Sequence, residues 1–273
     1  MIAIRELTTI EEMELVQQLE WKVWGISPIP THQTFTVVKN GGIIVGAFDA
    51  DKLIGFSYAF AGWKNEKSYL CSHMLGIDNA YRSQQIGEQL KLAQRNIAIQ
   101  KGYELMTWTY DPLETRNGFL NLTKLNGICD TYIENCYGEM QDGFNKGLPS
   151  DRFEVHWHLT SDYVVHKHQP LAPAPIPLGE IVIDEQGLPT LGARHTHNLH
   201  TIYDAQSYSL PVPQDFQALK RQSQEHALHW RLATRKIFQE LFAAGYAAVR
   251  IEKQSQWNQY IFVKKSALTL EEI

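Results

Sequence analysis

The sequence predicts a mixed α/β fold, and three observations carry that prediction. Strand-like and helix-like patterns alternate from the first residues. Two apolar, β-rich runs are joined by a short polar turn. Residues 151–159 alternate Phe153, Val155, Trp157 and Leu159 with Arg152, Glu154, His156 and His158, the period of a half-buried strand.

Taken in order, Ile2 to Leu7 read as a strand, and Thr9 with Glu12 forms a capping box before a helix with Met13, Val16, Leu19 and Val23 at helical spacing. Residues 43–48 and 53–60 are the two β-rich runs, with Asp49 to Lys52 as their turn. Residues 69–77 give another strand. A helix follows from Ile86, placing Ile86, Leu90, Ala93 and Ile97 on one face and ending at Gly102, after which ELMTWTY reads as a strand. Residues 169–177, QPLAPAPIP, contain four prolines, which cannot donate ladder or helix hydrogen bonds. This places a core at 1–160, a connector at 161–178 and a C-terminal α/β extension at 179–273. In the extension Pro213 is read as a helix start, Trp230, Ile237 and Leu241 as one stripe of a longer helix, and AAVRI and YIFVKK as closing strands. LAQR before Gly102-Tyr103 is echoed by LATR before Gly245-Tyr246, a candidate degenerate half-repeat that ordinary glycine caps explain equally well.

Composition narrows the function classes. The 273 residues carry a formal charge of −5 with both signs interspersed, so no basic block exists to neutralise a row of phosphates and nucleic acid is not expected as a partner. Cys71, Cys129 and Cys136 are odd in number and widely spaced, which points away from a disulfide framework and toward the cytoplasm. The opening residues carry acids and no apolar core of signal-peptide or membrane length, so no membrane association is expected.

The chemistry concentrates where a strand hands over to a helix, at HMLGIDNAYRSQQIG, residues 73–87. A helix start presents unpaired N–H groups and the positive end of its dipole, and so favours anions. Arg82 adds a fork of donors suited to phosphate, and Gly87 removes a side chain that would block a diphosphate; an ordinary helix cap is the plainer reading of the same residues.

YRSQQIG resembles the acyl-CoA pyrophosphate loop of the GCN5-related N-acetyltransferase (GNAT) superfamily. Gln85 departs from it by standing at the usual central glycine, which puts coenzyme A affinity in question. A closer resemblance is to one branch of that superfamily, carried by Val23-Trp24-Gly25, Pro30-Thr31-His32, Ser72-His73-Met74, Leu90 to Arg95, Thr107 to Asn117, Tyr137-Gly138, Gly147 to Arg152, Pro213 to Lys220 and Trp230 to Arg235. The activity known for that branch is succinyl transfer from succinyl-CoA to amino acids, as a partner of N-succinylamino acid racemases.

The resemblance implies a mostly antiparallel sheet with a V-shaped splay between two central strands, and helices on both faces. It implies acetyl-CoA or succinyl-CoA as co-substrate, held by Leu75, Ile77, Arg82, Ser83, Gln84, Gln85, Ile86, Gly87 and Asn117. Amides near Leu75 would hold the thioester carbonyl, and a neutral amine would attack directly without a covalent intermediate. Asp111 and Glu114, after the strand ending at Tyr110, are candidate bases, with turn and helix-start chemistry as the bland alternative. Thr123 stands where many relatives carry an acidic tyrosine, leaving Tyr137 or Tyr132 to replace it. His73, Arg116, Arg152 and Arg231 are candidate contacts to the acceptor or its carboxylate; the alternative for Arg231 and Arg235 is pairing with acids such as Glu225 and Glu240.

His195, His197 and His200 lack the fixed-distance partners of a zinc site, so no metal is expected, while His156 and His158 are expected to face solvent. The expected partner is a small-molecule amine of the amino-acid class, with a second copy of the chain, as a homodimer, a further candidate. The leading reading is an acyl-CoA-dependent N-acyltransferase. The alternatives are a non-catalytic acyl-CoA-binding sensor and an interaction module without a ligand.

Overall fold

The computed structural model describes residues 2–138, 147–167, 174–192 and 205–271. They form two compact units, the first of residues 2–108 with 158–160 and the second of 109–157 with the rest of the described chain from Ser161 to Glu271. Residues 109–157, assigned to the core by sequence, thus cluster with the C-terminal part.

The first unit follows the expected order. Strand β1 (Ile2–Glu6) leads to helix α1 (Ile10–Trp24), which opens with the Thr9–Glu12 capping box and stops at Gly25 in the left-handed region. Helix α2 (Thr31–Lys39) was not foreseen, because its apolar positions are few and no side chain caps it. Strands β2 (Ile43–Asp49), β3 (Lys52–Lys64) and β4 (Lys67–Ile77) form an antiparallel meander, with β1 antiparallel on β2. Helix α3 (Ile86–Gln100) returns the chain to β5 (Leu105–Tyr110), which lies parallel to β4 and whose Thr109 and Tyr110 belong with the second unit. Met13, Val16 and Leu19 of α1 pack with Leu7, Ile44, Phe48, Leu53, Phe56 and Tyr58. Burial of each large apolar side chain in such a core contributes about 1.5–3 kcal/mol.

The second unit contains β6 (Ile128–Ile133), β7 (Arg152–His158), β8 (Ile176–Pro177), the hairpin β9 (Glu180–Ile183) and β10 (Pro189–Gly192), and β11 (Ser207–Pro213). The short helices α4 (Thr115–Gly118) and α5 (Asp162–Val165) belong to this unit, and helices α6 (Phe216–Gln222) and α7 (Gln224–Ala243) precede the closing pair β12 (Tyr246–Lys253) and β13 (Trp257–Lys264). Its main sheet runs β7-β6-β12-β13-β11-β8, antiparallel except where β8 meets β11. Phe153 and Phe238 pack edge to face at 4.7 Å at the centre of an aromatic core that includes Tyr260 and Phe262. Pro213 ends β11 and starts no helix; Asp215 caps α6 by accepting the Ala218 N–H at 2.7 Å. A proline suits a strand end as well as a first helical turn, so the residue alone did not decide. The mixed α/β class, with mostly antiparallel sheet and helices, stands.

Candidate functional site

In the first unit, β4 and β5 pair only at Leu70 with Met106 and Cys71 with Thr107. Beyond that point β4 continues from Ser72 to Ile77 along β3 alone, leaving the length that holds Leu75 and Ile77 without a β5 partner among the described residues. The divergence coincides with a bulge. Tyr58 pairs with Met74 and Ala59 with Ser72, so His73 is the extra residue, which bends the strand and re-aims a side chain. The β4–β5 ladder therefore ends where the splay implied by the resemblance would begin.

After β4 the chain is anchored before it turns. Buried Asp78 accepts from Lys22 Nζ at 2.7 Å and from the Ala80 N–H, with Lys52 Nζ 3.5 Å away, and the Lys22 hydrogen bond above all holds its carboxyl below the usual range. Tyr81 donates its hydroxyl to Asp49 at 2.8 Å. The next residues, Arg82 to Gln85, are exposed, and Ile86 and Gly87 are buried as α3 begins. Ser83 and Gln85 have φ of 68° and 61°, a left-handed conformation that costs an ordinary side chain about 1–2 kcal/mol. Gln85 thus holds a backbone conformation that glycine adopts without strain. Its side chain makes no capping bond to the helix. The leading N–H groups of α3, which have no partner within a helix, are therefore not capped by Gln85, and Arg82 stands exposed in the turn just before them.

Around the bulge the same unit places three titratable groups. The exposed His73 ring lies 6.2 Å from the Tyr58 ring and 5.8 Å from that of Phe60, and its packing lowers its affinity for a proton. Burial, then the charge of Glu20, keeps the Tyr58 hydroxyl protonated. Glu20 is 3% exposed, and both carboxyl oxygens lie 3.2 Å from the Ile29 N–H. Burial raises its pKa. Glu20 was missed in the sequence, although it lies four residues after Val16 on the apolar face of α1, where a solvated glutamate has no reason to be.

The second unit gathers most of the other candidates into paired networks. Asp111 accepts from Arg231 at both oxygens, one of them at 2.8 Å from Nη1, and from the Leu113 N–H at 2.9 Å. Arg231 pairs here and with neither Glu225 nor Glu240. Glu114 accepts from Gln217 at 2.6 Å, and burial raises its pKa. Tyr137 is exposed, with its hydroxyl 2.7 Å from that of Thr109 and the guanidinium of buried Arg152 over its ring. Tyr132 donates to fully buried Asp151, which also accepts from Arg235. Thr123 donates to the Ile251 carbonyl and accepts its N–H, a bond to backbone that ties it to β12. Arg116 and Asn117 are exposed on the short helix α4 (Thr115–Gly118). His156 does not face solvent freely: it bonds Asp130 and Glu154 and is largely buried.

Among the described residues no group of three or more His, Cys, Asp or Glu could hold a metal ion, and His195, His197 and His200 lie outside those residues. No described helix is long and apolar enough to cross a membrane.

No family model and no curated protein matches the chain. Solved structures with a similar chain path include an N-acetyltransferase from Staphylococcus aureus, 15% identical, covering 58% of this chain and 98% of its own, with a TM-score of 0.46. An acetyltransferase of the GNAT family from Desulfovibrio desulfuricans is 12% identical over 59% of this chain and 100% of its own, with a TM-score of 0.45. An Arabidopsis thaliana protein solved with acetyl-CoA is 15% identical over 58% of this chain and 99% of its own, with a TM-score of 0.47.

Proposed function

We propose that this chain is an acyl-CoA-dependent N-acyltransferase that moves an acetyl or succinyl group to the amine of a small molecule of the amino-acid class. The observation that carries the reading is the opening of β4 from β5 at Cys71 and Thr107, followed directly by a left-handed turn and a helix start that its N-cap side chain leaves open. The motif resemblance at residues 82–87 supports it.

In this reading the turn amides and Arg82 hold the diphosphate, and the pantetheine arm runs between the two strands. Main-chain N–H groups of the β4 length that has no β5 partner polarise the thioester carbonyl. Glu20 is the general base: a carboxylate with raised pKa accepts an ammonium proton more readily than an ordinary one, directly or through one water. The neutral amine then attacks the carbonyl carbon, the carbon–sulfur bond breaks, and the thiolate takes up a proton in place of the one removed. His73, set in the bulge and with its affinity for a proton lowered by desolvation, presents a ring for packing and hydrogen bonding to the acceptor.

Titration calorimetry with acetyl-CoA and succinyl-CoA, repeated on Arg82→Glu, tests the first half. Binding should weaken at least about tenfold in the variant, as expected when a charge-assisted phosphate contact becomes a repulsion. A thiol-release assay over D- and L-amino acids tests the second. Unchanged affinity in Arg82→Glu would place the diphosphate elsewhere, and tight binding without thiol release on any amine would make the chain a sensor.

A further inference from the structure

One buried nucleophile plays no part in that mechanism. Lys91 of α3 is 2% exposed, and its bonded neighbours among the described residues include no carboxylate. Its Nζ donates to Ser72 Oγ at 2.7 Å, lies 3.9 Å from Met106 Sδ, and sits 3.4 Å from the centre of the Trp108 ring. Ser72 and Trp108 are the residues next in line, on β4 and β5, after the last pair of the ladder. The amine therefore sits at the end of the β4–β5 ladder.

The surroundings suit an amine that loses its charge. One hydroxyl, one thioether and one ring do not replace the water shell of an ammonium, and desolvation drives such a lysine toward its neutral, nucleophilic form. Ser72 Oγ donates to Gln94 Oε1 at 2.9 Å, and in that orientation Gln94 Nε2 is buried without a hydrogen-bond partner among the described residues. A buried donor left unpaired costs about 1–3 kcal/mol, so this cluster holds a vacancy for an acceptor oxygen.

We propose that Lys91 is a self-acylation site, modified in cis by the acyl-CoA thioester that the proposed function places between β4 and β5. The Nζ lone pair attacks the thioester carbonyl carbon, the carbon–nitrogen bond forms, and the carbon–sulfur bond breaks with its electron pair leaving on sulfur. The proton lost by the amine goes to the thiolate, so acyl-CoA and lysine become acyl-lysine and free CoASH. The amide product carries no charge to bury, and its carbonyl oxygen supplies the acceptor that Gln94 Nε2 lacks. Surface lysines are charged and meet the thioester only by collision, so they react more slowly.

The test is site-resolved mass spectrometry of the full-length protein incubated with acetyl-CoA, with and without excess free CoA, beside calorimetry of CoA binding. The expected result is a single acetyl group on Lys91, appearing at least about tenfold faster than on any exposed lysine, suppressed by free CoA and absent from Lys91→Arg. Because the wild-type site map stands alone, a variant that fails to fold leaves the test intact. CoA binding with Lys91 unmodified would overturn this inference and leave the proposed function standing. Absence of CoA binding would overturn both, as acetylation of Lys91 that free CoA does not suppress would overturn delivery in cis.

Discussion

Asp111 and Arg231, separated by 120 positions, are bonded head to head: Nη1 of Arg231 meets Oδ1 of Asp111 at 2.8 Å while Nη2 meets Oδ2. The guanidinium is 1% exposed and the carboxylate 12%. A pair desolvated this far depends on each partner being present.

Arg231→Met should therefore destabilise the second unit by about 3 kcal/mol or more, since it leaves the Asp111 carboxylate buried and unpaired. Denaturant titration followed by tryptophan fluorescence reads this directly. The double variant Asp111→Leu, Arg231→Met should recover much of the loss. A single variant as stable as wild type would mean that Asp111 reaches water in solution.

Stability should also fall in mildly alkaline solution through His156. Burial pushes its imidazole down, but Asp130 at 2.9 Å and Glu154 at 3.4 Å override burial and raise its pKa to about 9. The folded value lies above the unfolded value of about 6.5, so the contribution is complete below about pH 6.5 and disappears as pH climbs through about 9. Asp130 behaves in the opposite sense. Burial raises it, His156 and Lys265 more than offset that, and its contribution is present above about pH 3.9 and lost as acid protonates it. Melting temperature measured from pH 6 to 10 should drop in the wild type and stay nearly level over the same range in His156→Gln. Parallel curves would remove His156 as the cause.

Gln85→Gly should stabilise the first unit by about 0.5–1 kcal/mol. Glycine takes φ of 61° without strain, which outweighs its greater freedom in the unfolded chain. Gln85→Val should do the reverse by about 1 kcal/mol or more, because a branched side chain tolerates that backbone least. Thermal melts of the two variants settle the sign, and equal melts would show that the turn relaxes.

Glu20→Gln should lower kcat about a hundredfold or more while leaving acyl-CoA affinity unchanged. The acid limb of the wild-type kcat/KM profile should lie above the ordinary carboxylate range, because burial raises the Glu20 pKa, and the limb should vanish in the variant. Stability carries a second signature. A carboxyl whose folded pKa is raised favours the folded state when protonated, so the wild type should lose stability as pH rises through that value and Glu20→Gln should not. An unchanged kcat would strike Glu20 as the base.

Much of this molecule was readable from local pattern. The Thr9–Glu12 box, the 43–60 hairpin, the helix from Ile86 and the closing strand pair all formed as expected, because caps, turns and side-chain periodicity act within a few residues. The turn at 82–87 was legible for the same reason. Charged residues on apolar helix faces carry a further signal: Glu20 and Lys91, the latter within the Leu90 to Arg95 motif, each occupy a core-facing position, and neither has a role assigned from sequence alone.

The sequence by itself determined most of the strand and helix order of the first unit and the strand-to-helix turn at residues 82–87. Only the tertiary structure decided which acid meets which base, that Arg231 answers Asp111 and Arg235 answers Asp151, and that the bulge falls at His73. Those choices turn on contacts between residues far apart in the chain, and on how much water each contact excludes. A charge in water is an ordinary surface group; the same charge shut away from water must find a partner, shift its proton or react.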